Sequence, residues 1–226
     1  MSFFKTKKTA EAVKQSSGSA YVNGSGCYPV NIIAPFASVS KGGSTSVDLF
    51  IEHEGQKQVV YGNMRITNND DSVNEIGSKV FNQLAVIADV EDISDPVEAE
   101  LPIGKNGADV DVGVLEDLAD VDIMLRIQME YSTYLGNIQE KKIIKGFFRA
   151  GDNASAEEIV NETEAGVQYE KDSKYFDNIT YKDGLDADAI AAWVAAGRPK
   201  GTAGSSSASA APKPSFGKKK SFGKKD

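Results

Sequence analysis

The sequence predicts a mainly β fold: a five-stranded antiparallel barrel with one inserted helix, then a short C-terminal helical extension and a disordered tail. Three observations lead there. Short runs of alternating apolar and polar residues recur between Tyr28 and Phe148, the signature of half-buried strands. One stretch, Val73 to Ala88, instead spaces its apolar residues by three and four, as an amphipathic helix does. After Gly197 the composition collapses to Gly, Ser, Ala, Pro and Lys, which cannot build a core.

Each element has a local reason. Tyr28, Val30 and Ile32 alternate with Pro29, Asn31 and Ile33 before Pro35, which reads as a strand with an irregular end. Ser40-Lys41-Gly42-Gly43-Ser44 is a turn by composition. Val47, Leu49 and Ile51 alternate with Asp48, Phe50 and Glu52, and Glu54-Gly55 turns this strand back into Gln58–Tyr61, completing a meander. The polar cluster Thr67–Ser72 then starts a helix over about 73 to 89, carried by Val73, Ile76, Val80, Phe81, Leu84 and Ile87. Residues 90–116 are acidic, contain Pro96, Pro102 and three glycines, and read as an insertion with at most short strands. The cleanest alternation follows, Ile123 to Tyr131, and Lys141–Phe148 returns as its hairpin partner. Asp186 at the start and Gly197 just past the end bound a short helix over Asp186–Ala196, with Ile190, Trp193 and Val194 on one side.

Strand, strand, strand, helix, strand, strand is the order of an OB-type barrel, an order shared with other small barrels and two-layer α+β sheets. The expected organisation is a flexible basic arm (1–24), the barrel (25–150), an extension with a short helix (151–197) and a disordered tail (198–226).

Charge is sorted along the chain. Residues 198–226 sum to +7 and residues 1–14 to +3, so the formal total of -8 leaves -18 on residues 15–197. The tail repeats Ser215-Phe216-Gly217-Lys218-Lys219 as Ser221-Phe222-Gly223-Lys224-Lys225. Such an arm can follow a phosphate backbone by counterion release, clamp its own acidic body, or simply keep the protein soluble. No apolar run is long enough to span a bilayer, and the first residues lack a signal-peptide pattern, so the expected location is the cytoplasm of the cell that makes it.

Catalysis has no foothold. One cysteine and one histidine exclude an internal disulfide, thiolate clusters and the usual zinc ligand sets. His53 reads as an exposed turn residue and Cys27 as a non-nucleophile. Walker, GxGxxG, GxSxG and HExxH motifs are missing. Asp109, Asp111, Glu116, Asp117 and Asp120 lack EF-hand spacing and read as a solvated acidic loop. No enzyme, cofactor or metal is expected.

Binding is better supported, because cations and rings interleave on an otherwise acidic body. On the meander these are Lys41, Phe50, Lys57, Tyr61 and Arg65; on the hairpin, Arg126, Tyr134, Lys141, Lys142 and Lys145; in the tail, Phe216, Lys218, Lys219, Phe222 and Lys224. Rings stack on bases of any sequence while Lys and Arg neutralise phosphates. Phe50, out of phase with Val47, Leu49 and Ile51, is the better stacking platform, whereas Tyr131 is in phase with the core. Phe147 and Phe148 cannot both face inward, so one is exposed or covered by the extension.

The segments Gly26–Ile32, Ser40–Ser44, Lys79–Leu84 and Ile143–Phe148 resemble the small single-stranded-DNA-binding proteins of bacteriophages, over roughly residues 20–150. That resemblance implies an OB-type barrel coating single-stranded DNA in phage replication, recombination or transcription. The chain departs from it at its end, since many such proteins finish in an acidic, Phe-tipped tail that recruits partners, and this one finishes in Phe-Gly-Lys repeats. The expectation is sequence-independent single-stranded DNA binding with no membrane partner. An RNA polymerase cofactor or other interaction protein, contacting polymerase or replication proteins through the extension, and a phage structural protein are the alternatives; homo-oligomerisation is left open.

Overall fold

The computed structural model describes residues 20–199. The expected basic arm up to residue 19 and the tail from residue 200 lie outside the described residues. In chain order the elements are β1 (Gly26–Val39), β2 (Thr45–His53), β3 (Gln56–Arg65), α1 (Glu75–Ile87), β4 (Val97–Leu101), β5 (Val110–Val114), β6 (Val121–Tyr134), β7 (Asn137–Arg149), α2 (Ala156–Val160), α3 (Val167–Ser173), β8 (Thr180–Tyr181) and α4 (Ala187–Ala195). The fold is mainly antiparallel β sheet with few helices.

β1 outruns the alternation of Tyr28–Ala34 because its register shifts between Ile32 and Ala34. A bulge of this kind bends a strand without ending it. The first half of β1, Gly26–Ile32, pairs with β6, and Phe36 and Ala37 in the second half pair with β5. Its other edge carries β2, which pairs with β3 as the expected meander. β6 and β7 form the expected hairpin, closed by Leu135 and Gly136 at positive φ. The ladder thus runs β3-β2-β1-β6-β7. β3 and β7 come within 8 Å, Cα to Cα, without ladder pairing among the described residues, and α1 packs on both.

The alternating side chains of this sheet meet in one core: Val30, Ile32, Val47, Leu49, Ile51, Val60 and Met64 from the meander, Ile123, Leu125, Ile127, Ile144 and Phe147 from the hairpin, Leu84 and Ile87 from α1. Each such side chain contributes about 1.5–3 kcal/mol by leaving water. Val22, placed by the sequence in the arm, is fully buried here, its N–H donating to Gln58 Oε1 at 3.0 Å. α1 starts two residues later than the polar cluster predicts, capped by Asn74, whose side chain accepts from the Gly77 N–H at 2.9 Å. Val73 falls before the helix, in a bridge to Thr67, and both Val73 and Ile76, expected on the apolar face, are exposed. Its docking depends on Gly77, where an added Cβ would lie 2.0 Å from the Arg65 carbonyl oxygen.

The short strands allowed for the acidic insertion are β4 and β5, a hairpin that lays Ala99, Leu101 and Val112 over Ala34, Phe36 and Phe50 on the outer side of the sheet. A further expectation changes. His53, expected in the open, ends β2 buried, its Nδ1–H donating to the Pro29 carbonyl at 2.7 Å and its ring edge-on to Tyr28.

The extension packs against the hairpin. Phe148, the outward member of the Phe147–Phe148 pair, is covered by Tyr169 and Phe176, while Phe147 enters the core. β8 pairs in parallel with β6 at Glu130 and Tyr131. α4, capped by Asp186 and followed by Gly197 at φ +81°, sets Ile190 and Trp193 against Met129 and Tyr131. α2 opens with a capping box in which Ser155 and Glu158 satisfy one another's backbone donors.

Glu158 is buried and accepts from the backbone N–H groups of Ser155, Gly166 and Gln168. Burial pushes its carboxyl up, but these donors outweigh that and hold it below the ordinary value. A carboxyl lowered on folding stabilises the fold above its unfolded value, and that contribution is lost as pH falls through the folded value. Glu158→Gln is therefore expected to cost about 1–2 kcal/mol at neutral pH. Urea unfolding across pH should show the gap to the parent closing in acid.

Candidate nucleic-acid interface

Strand register decides which cations and rings share a surface. On β2 the core takes Val47, Leu49 and Ile51, so Ser46, Asp48, Phe50 and Glu52 face outward. Directly paired residues of an antiparallel ladder point the same way. The pairs Phe50–Val59, Glu52–Lys57 and Ser46–Arg65 therefore put Lys57, Val59 and Arg65 on the outer side of β3. Tyr61 lies between them, 65% exposed and close enough to Asp48 to feel its charge. The β3 register shifts between Val60 and Met64, so the row from Lys57 to Arg65 lies opposite Glu52 to Ser46 and spans about 20 Å. Among the described residues none of Lys41, Lys57 and Arg65 is in an ion pair.

Lys41 stands exposed in the Ser40–Ser44 turn. The turn is fixed by Gly43 at φ +91°, by the Ser40–Ser44 hydroxyl contact at 2.8 Å and by close approach of Gly42 to the Asn69 side chain. Because Thr45 and Ser46 follow it directly and Ser46 pairs with Arg65, Lys41 belongs to the Arg65 end of the row.

Phe50 is corrected. It does face outward as its phase indicates, but β4–β5 buries it to 4% exposure, so no base can stack on it. It is the floor beneath the hairpin, beside Phe36.

The hairpin candidates do not gather into one surface. Arg126 is ion-paired with Asp172 and lies over the Phe176 ring at 5.6 Å, holding α3 in place. Beside it, burial pushes the Cys27 thiol up to about 12, with Arg126 pulling the other way and Asp172 adding to the rise. A thiol held protonated is no nucleophile at neutral pH. Lys145 is exposed at the irregularity where Arg126 pairs with Gly146 and Ile127 with Ile144. It lines a cleft of about 220 Å³ with Gln83, Arg126, Gln168 and Asp172. Lys142 faces the extension side with Met129, and burial lowers its ammonium, opposed by Glu140. Lys141 is exposed opposite Glu130, which is bridged to Lys182 at 2.7 Å. Tyr134 stands 66% exposed at the hairpin tip beside Leu135. Phe216, Lys218, Lys219, Phe222 and Lys224 lie outside the described residues.

The structure thus collects Lys57, Tyr61 and Arg65, with Lys41 at one end, on one solvent-facing surface. Sequence reasoning missed Asp172 as the partner of Arg126 and the hairpin as a cover for Phe50. Compared with protein-family models and with curated proteins, the chain matches none.

Proposed function

We propose that this protein binds single-stranded DNA without sequence preference, laying the strand along the outer face of β3. The observation that carries the reading is the row Lys57, Tyr61, Arg65: two cations in no ion pair among the described residues flank an exposed ring on a body whose net charge is negative. A ring can stack a base at about 1–3 kcal/mol, and cations at both ends can neutralise phosphates. The ladder order β3-β2-β1-β6-β7, with α1 at the β3–β7 seam, has the layout of an OB-type barrel and supports that finer reading of the fold. The resemblance to phage single-stranded-DNA-binding proteins points the same way and gives phage replication, recombination or transcription as the setting. A polymerase-contacting extension has less support, because Phe176, Tyr181 and Trp193 already pack on the hairpin.

The basic tail adds long-range attraction in this scheme. Labelled oligo-dT titrated over a series of salt concentrations tests it, with the whole chain beside one lacking residues 212–226, which carry six lysines. Affinity is expected to fall log-linearly with salt, and the truncated chain to show a slope shallower by up to about four. Equal slopes would remove the tail from the interface, and absence of binding in dilute buffer would end the proposal.

A further inference from the structure

The apolar face of the β4–β5 hairpin is explained by the cover it gives Phe36 and Phe50, but its carboxylates contribute nothing to that packing. Residues 91–120 carry ten carboxylates against Lys105 alone, and all ten are exposed. Among the described residues none of them is in an ion pair. Glu100 and Asp111 stand directly opposite one another in the β4–β5 ladder, a like-charge pairing that weakens a sheet. Ala99 and Leu101 face the outer side of the meander, so Glu98 and Glu100, which alternate with them, face away from it into solvent. Through Leu101, Ile103 and Val112 the same hairpin packs in one cluster with Val59 of β3. A strongly negative surface is thus built on a hairpin that pairs with β1 and shares an apolar cluster with Val59 of the row's strand.

We infer that β4–β5 is an electrostatic discriminator that admits a single strand to the β3 face and rejects duplex DNA; the inference rests on the β3 reading above. A single strand can turn its one phosphate row to Lys57 and Arg65 and its bases to Tyr61. A duplex cannot. Its second backbone lies across a groove roughly 6–12 Å wide, which carries those phosphates toward Glu98, Glu100 and Asp111. At physiological salt charges interact over about 8 Å, so the second row meets repulsion that the first does not. Selectivity comes from a penalty placed on the competitor as well as from attraction to the ligand.

The test uses the whole chain and two variants, Glu98→Gln/Glu100→Gln/Asp111→Asn and Glu98→Lys/Glu100→Lys/Asp111→Lys, titrated with oligo-dT and with a duplex of equal length. Circular dichroism and thermal melting check the fold: the neutral variant relieves the Glu100–Asp111 repulsion and should melt at or above the parent, while the lysine variant, which sets one ammonium opposite another, should melt near the parent. The lysine variant is expected to gain at least about tenfold for duplex and under about threefold for oligo-dT, with the neutral variant between; in high salt the difference should vanish. Equal gains for both ligands, or unchanged duplex affinity, would overturn the discriminator while leaving the β3 interface intact. Failure of every form to bind oligo-dT would instead sink the underlying reading.

Discussion

Replacing Lys57, Tyr61 and Arg65 together by alanine is expected to weaken oligo-dT binding by about two orders of magnitude while leaving the fold in place. Loss of the Tyr61 ring alone should cost about 1–3 kcal/mol, tenfold or more. Removing the cations abolishes phosphate contacts and makes the salt dependence shallower by about 0.7 for each phosphate released. Lys57 and Arg65 are exposed and Tyr61 is 65% exposed, so none of the three holds the core together. Surface changes of this kind usually shift stability by no more than about 0.5 kcal/mol. Tyr61→Phe should bind nearly as well as the parent, because stacking uses the ring and not the hydroxyl. A variant set in which Tyr61→Phe fails as badly as Tyr61→Ala would point to a hydrogen bond in place of stacking.

Gly77→Ala is expected to destabilise the protein by about 3 kcal/mol or more. The added methyl would sit 2.0 Å from the Arg65 carbonyl oxygen and 2.6 Å from its nitrogen, distances no packing adjustment of side chains can relieve. Ala is otherwise the better helix former by about 1 kcal/mol, so propensity alone would give the opposite sign. Either α1 lifts from the β3–β7 seam, exposing Leu84 and Ile87, or the end of β3 shifts and carries Arg65 with it. Chemical unfolding measures the first outcome and oligo-dT affinity the second. Unchanged stability would mean that α1 does not rest on β3 at this point.

Local rules carried the sequence reading a long way. β2 and β6 were legible because one face of each packs into the core, which enforces a period of two. α4 was legible from Asp186 and Gly197, residues that act on their own neighbourhood. The failures are contacts between residues far apart in the chain. Phase gave Phe50 the right direction, yet whether that direction meets water depends on a hairpin some fifty residues later. That hairpin had its own signal, since Val97, Ala99 and Leu101 alternate with Glu98 and Glu100, and Val110, Val112 and Val114 with Asp111 and Gly113. Its acidity masked the alternation. Arg126 looked free because its partner, Asp172, is 46 residues away on a helix of only 7 residues. His53 was misplaced for a similar reason: the Pro29 carbonyl that accepts from it belongs to the neighbouring strand.

The candidate site was legible in composition and not in geometry. Nothing local distinguishes Lys57 and Arg65 from Lys142 and Arg126, yet the register leaves the first pair open and encloses the second against the extension. The surface that remains is narrower than the sequence suggests, a single row on β3 in place of two.

Titrating labelled oligo-dT in dilute buffer with the full-length protein and with the Lys57→Ala/Tyr61→Ala/Arg65→Ala variant, side by side, tests the β3 surface most directly. The expected result is saturable binding by the parent and a midpoint displaced about a hundredfold in the variant. Superimposable curves, or a parent that leaves the oligonucleotide free, would contradict it.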